Sequence, residues 1–120
     1  LALAIGGKFH LPHGLLTAFI LPWVMEFNLL ANPQKFIQIA RAFGENTDGL
    51  SEGEAARLSV RAIKSLLSDL DISYKLNDYQ VPREEIPSLA KAAIGAARLI
   101  SNNPRKVSEK EVAEILGKNY

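Results

Sequence analysis

Apolar residues recur at helical spacing along most of this chain, and no stretch shows the alternation expected of a half-buried strand. The clearest helix follows Ser51, which forms a capping box with Glu54 and precedes apolar residues at steps of three and four. The side chains predicted to be buried there are Ala56, Val60, Ile63, Leu67 and Leu70. The opposite side, predicted to face solvent, carries Arg57, Arg61, Lys64 and Ser68.

A long apolar segment lies upstream of that helix. From Gly14 to Leu30 nearly every side chain is apolar, which predicts a helix surrounded by protein on all sides. Pro22 falls inside the segment, so we expect either a kink or two separate helices. Four partly amphipathic neighbours are few for such a helix, so we expect a homo-oligomer. The predicted stripe is Leu16, Ile20, Trp23, Phe27 and Leu30.

Three shorter helices complete the predicted all-α architecture of a loop followed by about five helices. One runs from Pro33 to Gly44, and another begins between Pro82 and Pro87 and reaches Ile100. The last is capped by Ser108 and Glu111 and ends at Gly117. The residues predicted to be buried in these helices are Phe36, Ile39, Ala40, Phe43, Leu89, Ala93, Ala96, Ile100, Val112, Ile115 and Leu116.

The composition describes one globular unit. The 120 residues are 48% hydrophobic and 22% charged, and 14 Lys and Arg against 13 Asp and Glu leave no basic excess for binding nucleic acid. Without cysteine, the chain has no disulfide and no thiolate metal ligand. We expect a cytoplasmic location.

Neither a membrane span nor a secretory leader is predicted. The longest stretch without Lys, Arg, Asp or Glu runs from Phe9 to Met25, and its histidines and prolines make it too short and too polar to cross a bilayer. The opening residues lack the cationic start of a leader. Because the chain begins with Leu and its single methionine is Met25, we expect it to be a piece of a longer protein.

The two histidines, His10 and His13, are the main chemical clue. They stand just before the apolar helix, separated by Leu11 and Pro12 and followed by Gly14. The positive end of a helix macrodipole disfavours imidazolium, and a metal needs the neutral imidazole. Two histidines without a carboxylate pair are nevertheless a weak ligand set, so both could instead hydrogen-bond to loop carbonyls.

The segment from Gly6 to Asn28 closely resembles the signature of the iron-containing (group III) alcohol dehydrogenases. Its specific parts are Pro12-His13-Gly14 and the run Leu21-Pro22-x-Val24-Met25-x-Phe27-Asn28. The resemblance continues through Gly49-Leu50-Ser51, Ile86-Pro87-Ser88-Leu89-Ala90 and Asn103-Pro104-Arg105, and it covers essentially the whole chain.

The resemblance implies a dehydroquinate synthase-like fold, of which residues 1–120 form the C-terminal part of the all-helical metal-binding domain. The nucleotide-binding domain would lie outside this chain. In that family one aspartate and three histidines hold Fe2+, or in some members Zn2+, and His13 matches the last histidine. His10 is implied near the substrate, with Phe9 and Trp23 close by, and Leu3 would form an apolar pocket wall.

The implied activity is hydride transfer between NAD(P) and a small alcohol, aldehyde or ketone in the intact enzyme. Because the chain lacks the other metal ligands and the nucleotide-binding domain, we expect it to be inactive by itself and to retain no cofactor. A zinc-dependent relative such as a glycerol dehydrogenase matches the residues around His13 less well. The alternative from another class is a stand-alone helical interaction module in which His10 and His13 are structural.

Overall fold

The computed structural model describes all 120 residues and contains helices and no strands, which confirms the all-α prediction. Two single 3-10 turns, Leu76–Tyr79 and Arg83–Glu85, lie in the segment between the fourth and fifth helices. No helix combines the length and the apolar character needed to cross a lipid bilayer. The seven helices are α1 (Ala2–Phe9), α2 (His13–Asn28), α3 (Pro33–Ala42), α4 (Glu52–Asp69), α5 (Ile86–Gly95), α6 (Ala97–Ile100) and α7 (Glu109–Lys118).

The helix α1 corrects the prediction of an opening loop. Ile5 is fully buried in the larger core, and Ala2 and Ala4 of the same short helix pack against that core together with Leu1, which precedes the helix. Two consecutive glycines lower the helix propensity of this segment. Burial of the apolar side chains outweighs that local preference, and this effect depends on helices that follow later in the sequence.

The helix α2 is continuous through Pro22, so the alternative of two separate helices is wrong. It ends at Asn28, and Leu30 therefore lies in the following turn, 81% exposed instead of buried. The first half of α2 contributes to a core shared with α1, α5 and α7, and Met25 belongs to a second core shared with α3 and α4. Contributing to both cores accounts for many apolar side chains of α2, but Leu21 is 42% exposed, so the prediction of a helix surrounded by protein on all sides is wrong on that side.

Both predicted capping boxes are present. Ser51 and Glu54 close the start of α4, and Ser108 and Glu111 close the start of α7. The apolar stripe of α4 is buried as predicted except for Leu70, which lies beyond the end of the helix. The predicted charged side is exposed except at Lys64, which is partly covered.

Two helices differ from their predicted patterns. In α3, Ile37 and Ala40 are buried against α4, whereas Ile39 and Phe43 are exposed, because the contact uses a neighbouring face of the helix. The predicted helix to Ile100 is instead α5 and α6, separated by Ala96 with φ −81° and ψ 56°. The end of α7 is within one residue of the predicted Gly117.

Candidate functional site

The two histidines flank a tight turn between α1 and α2. His10 adopts a left-handed backbone conformation, with φ 54°, and its N–H donates to the carbonyl of Gly6 at 3.1 Å, which ends α1. Extended backbone at Pro12 then leads directly into His13, the first residue of α2. The turn therefore places His13 at the N-terminal end of the apolar helix, as predicted.

Both imidazoles are exposed and neither makes a hydrogen bond. The Thr17 hydroxyl donates to the backbone carbonyls of His13 and Gly14, at 3.1 and 2.9 Å, and leaves the His13 side chain free. The alternative in which loop carbonyls hold both imidazoles is thus not observed. The ring nitrogens of His13 are available to a partner outside this chain.

The donor side chains of this chain fall short of a complete metal centre. A catalytic metal usually has three or more protein ligands. No group of three or more histidine, cysteine, aspartate or glutamate side chains lies close enough together to hold a metal ion. These residues alone therefore do not form the complete site, and no reaction step through a metal follows from them.

Close packing of α1 on α2 supports the turn. A Cβ atom built on Gly6 would lie 2.8 Å from Cδ1 of Leu16, so only glycine permits this approach without displacing a buried side chain. An ion pair holds α1 against the start of α5, with Lys8 donating to Glu85. That hydrogen bond, with another from Ser88, lowers the pKa of the Glu85 carboxyl.

The side chains predicted near the substrate lie in different surroundings. Phe9 is half-buried and packs against the larger core, whereas His10 is exposed. The Trp23 indole N–H donates to the Tyr74 carbonyl at 2.9 Å. The Lys64 ammonium lies 4.3 Å from the centroid of the Trp23 ring. Ten residues of α-helix separate Trp23 from His13 by about 15 Å. The structure does not bring these three side chains together in one pocket.

An apolar groove of about 500 Å³ opens between α1, α2 and the segment formed by α5, α6 and α7. The sequence pattern did not predict it, and the small side chains of Ala92, Ala93 and Ala96 are among its lining. Leu3 lines it, whereas Phe9, His10 and His13 do not. We call it the apolar groove, and its lining includes Leu3, Thr17, Leu21, Ala92, Leu99 and Ile115.

Known proteins resemble this chain over nearly all of its length. The 1,3-propanediol dehydrogenase of Citrobacter freundii is 46% identical over 111 residues, which are 92% of this chain and 28% of that enzyme. Lactaldehyde reductase of Escherichia coli strain K12 is 34% identical over 111 residues, which are 92% of this chain and 29% of that enzyme. The chain thus spans less than a third of the length of these curated relatives.

Solved structures agree with the sequence comparison. The crystal structure of a 1,3-propanediol oxidoreductase matches with a TM-score of 0.94 and 39% identity, covering 99% of this chain and 31% of that one. The alcohol dehydrogenase of Oenococcus oeni matches with a TM-score of 0.93 and 37% identity, with the same coverage of both chains. The sequence model for the C-terminal part of the Fe-containing alcohol dehydrogenase family matches residues 1–120, and this chain therefore belongs to that family.

Proposed function

We propose that these 120 residues are the C-terminal part of the helical domain of a metal-dependent, NAD(P)-linked alcohol dehydrogenase. The enzyme would interconvert a small alcohol and its aldehyde or ketone. The observation that carries the proposal is a free His13 imidazole at the start of α2, within a chain that matches the family from end to end. The nucleotide-binding domain would belong to the remainder of the protein.

In this proposal His13 supplies one ligand to a divalent ion, Fe2+ or Zn2+, and the remaining ligands come from outside these residues. Such an ion would act as a Lewis acid towards the substrate oxygen. No side chain caps the start of α2, so its first N–H groups add positive potential beside His13. The short turn and the Gly6–Leu16 contact hold that helix end in place.

The substrate-side roles of His10, Phe9 and Trp23 remain predictions, and the first two have more structural support. His10 and Phe9 lie next to the turn that leads to His13. Trp23 lies further along α2 and contacts Lys64 of α4 and Tyr74, which follows α4. The alternative, a helical interaction module with structural histidines, is less well supported, because neither imidazole holds the turn together.

Metal analysis and turnover of the protein encoded by the complete reading frame test this function. We expect about one divalent metal ion per chain, with aldehyde-dependent oxidation of NADH or NADPH. In His13→Ala both the metal and the activity should be lost, while His10→Ala serves as a matched control that keeps its metal. The 120-residue chain should bind no metal and should fold equally well with His13→Ala.

Two results would contradict the proposal. A complete protein without metal and without activity would favour the interaction module. A His13→Ala protein that keeps its metal would show that the resemblance at Pro12-His13-Gly14 does not extend to metal binding.

A further inference from the structure

A single polar side-chain contact joins the first twelve residues to the rest of the chain. Among residues 1–12 only Lys8 makes a side-chain hydrogen bond, and its ammonium donates to the Glu85 carboxylate next to α5. The other contacts of this segment are apolar, with Ile5 fully buried and Phe9 packed against the larger core. Apolar burial is not directional. The ion pair is therefore the contact that fixes the direction of the end of α1 relative to α5.

The carboxylate partner is held in place by its own neighbours. Glu85 ends the 3-10 turn Arg83–Glu85 and immediately precedes α5. The Ser88 hydroxyl lies 2.7 Å from the Glu85 carboxylate and 2.9 Å from its backbone carbonyl. Pro87 restricts the backbone at the start of α5. The Glu85 side chain is 28% exposed and that of Lys8 is 48% exposed, so Glu85 is the more fixed partner and anchors the lysine.

The turn that follows Lys8 leads into a helix end without a side-chain cap. The helix α2 begins at His13, and Pro12 before it offers no capping side chain. The Leu16 N–H donates to the Pro12 carbonyl at 3.0 Å and joins the turn to the first turn of α2. Uncapped helix ends fray. Because only three residues separate Phe9, the last residue of α1, from His13, the end of α1 limits how far the start of α2 can open.

We propose that Glu85 is a positioning residue: through Lys8 it fixes the end of α1 and the turn that follows, and so keeps His13 in the first turn of α2. The inference deepens the proposed function and rests on it, because the order of His13 matters for its role as a metal ligand. A side chain that already has its binding geometry loses less conformational entropy when it binds. Glu85 itself need not touch the metal or the substrate.

A double-mutant cycle in the complete protein tests the inference. Glu85→Gln and Lys8→Met each remove the ion pair, and the double variant removes both partners. Glu84→Gln is the matched control, because the Glu84 side chain is exposed and makes no hydrogen bond. The first readout is amide hydrogen exchange over residues 9–16 of the metal-free protein, followed by mass spectrometry. The second is the Kd for Zn2+, measured by competition with a chelating dye.

We expect Glu85→Gln and Lys8→Met each to speed exchange over residues 9–16 by about two- to fivefold, since an exposed ion pair makes a modest contribution to local order. The Kd for Zn2+ should rise by a similar factor in both variants. The double variant should lose no more than either single variant, because both substitutions remove the same contact. Glu84→Gln should match the wild type in both readouts.

The direction of the two Kd shifts separates positioning from simple electrostatics. Loss of the Lys8 cation alone would favour a bound Zn2+ ion, whereas loss of the Glu85 anion would disfavour it. Positioning requires both variants to bind Zn2+ more weakly. Tighter binding in Lys8→Met with weaker binding in Glu85→Gln would therefore overturn the inference.

Three other results would also overturn it. They are wild-type exchange rates in both single variants, additive losses in the double variant, and faster exchange with unchanged Zn2+ binding, which would make the ion pair structural only. A wild-type complete protein that binds no metal would contradict the proposed function. The exchange rates, which are measured without metal, would still decide whether Glu85 holds the turn before His13.

Discussion

Asn28 and Asn103 exchange two side-chain hydrogen bonds, at 2.8 and 2.9 Å, across 75 residues of sequence. Asn28 is the last residue of α2 and is 5% exposed. Next to this pair, the Arg105 guanidinium donates to the backbone carbonyl of Phe27 at 3.0 Å. The same guanidinium lies 4.0 Å from the centroid of the Phe27 ring. The last carbonyls of a helix lack partners within the helix, and Arg105, in the loop before α7, supplies a hydrogen bond to one of them at the end of α2.

Asn103→Ala should destabilise the chain by about 1–3 kcal/mol, because it leaves the buried Asn28 amide without its partner. Asn102→Ala is the matched control, since that exposed side chain makes one long hydrogen bond, to Arg98. Its effect should stay within about 0.5 kcal/mol. Urea unfolding measures both free energies. Equal losses in the two variants would show that the amide pair contributes no specific stability.

The consecutive residues Gly6 and Gly7 should respond to alanine in opposite directions. A Cβ on Gly7 meets nothing within 4 Å, so Gly7→Ala should stabilise α1 by about 0.5–1 kcal/mol through higher helix propensity. A Cβ on Gly6 would meet Leu16, and overpacking of this kind costs about 1–3 kcal/mol. Thermal unfolding should place Gly6→Ala below Gly7→Ala. The reverse order would show that Leu16 moves aside freely.

Removal of a capping hydroxyl should weaken the helix that it starts. Ser108 accepts from the N–H of Glu111 at 3.3 Å, so Ser108→Ala should cost about 1 kcal/mol. Ser65 is exposed within α4 and makes no hydrogen bond, so Ser65→Ala should be neutral or slightly stabilising. Chemical denaturation should measure the difference between the free energies of unfolding of the two variants. A Ser108→Ala chain as stable as wild type would mean that the start of α7 contributes little.

Stability should fall in acid partly through Glu85. The hydrogen bond from Lys8, then that from Ser88, lowers the pKa of this carboxyl in the folded state. Its contribution is therefore present above the unfolded pKa of about 4.3 and is lost as the pH falls through the lower folded value. Glu85→Gln should reduce the decrease in melting temperature between about pH 5 and 3.

The neighbouring substitution Glu84→Gln provides the control for this pH dependence, because Glu84 is exposed and has no hydrogen-bond partner. Its melting temperature should follow that of the wild type across the acid range. If the Glu85→Gln and Glu84→Gln curves run parallel, the Lys8–Glu85 pair does not couple folding to pH.

The sequence by itself determined the features that depend on neighbouring residues. Both capping boxes, the all-α class and most of the buried stripe of α4 were predicted correctly, because residues three and four apart meet on one helix turn. The position of His13 at the start of α2 followed from Pro12 and the apolar run behind it.

Only the tertiary structure decided which of these elements meet. The helix α1 forms because Ile5 is buried by later helices, and α3 presents Ile37 instead of Ile39 because of where α4 lies. The Asn28–Asn103 pair and the apolar groove join segments far apart in sequence, and no local pattern specifies such contacts. Burial and hydrogen bonding between distant residues outweigh local propensity, and this is why these features appear only in the folded chain.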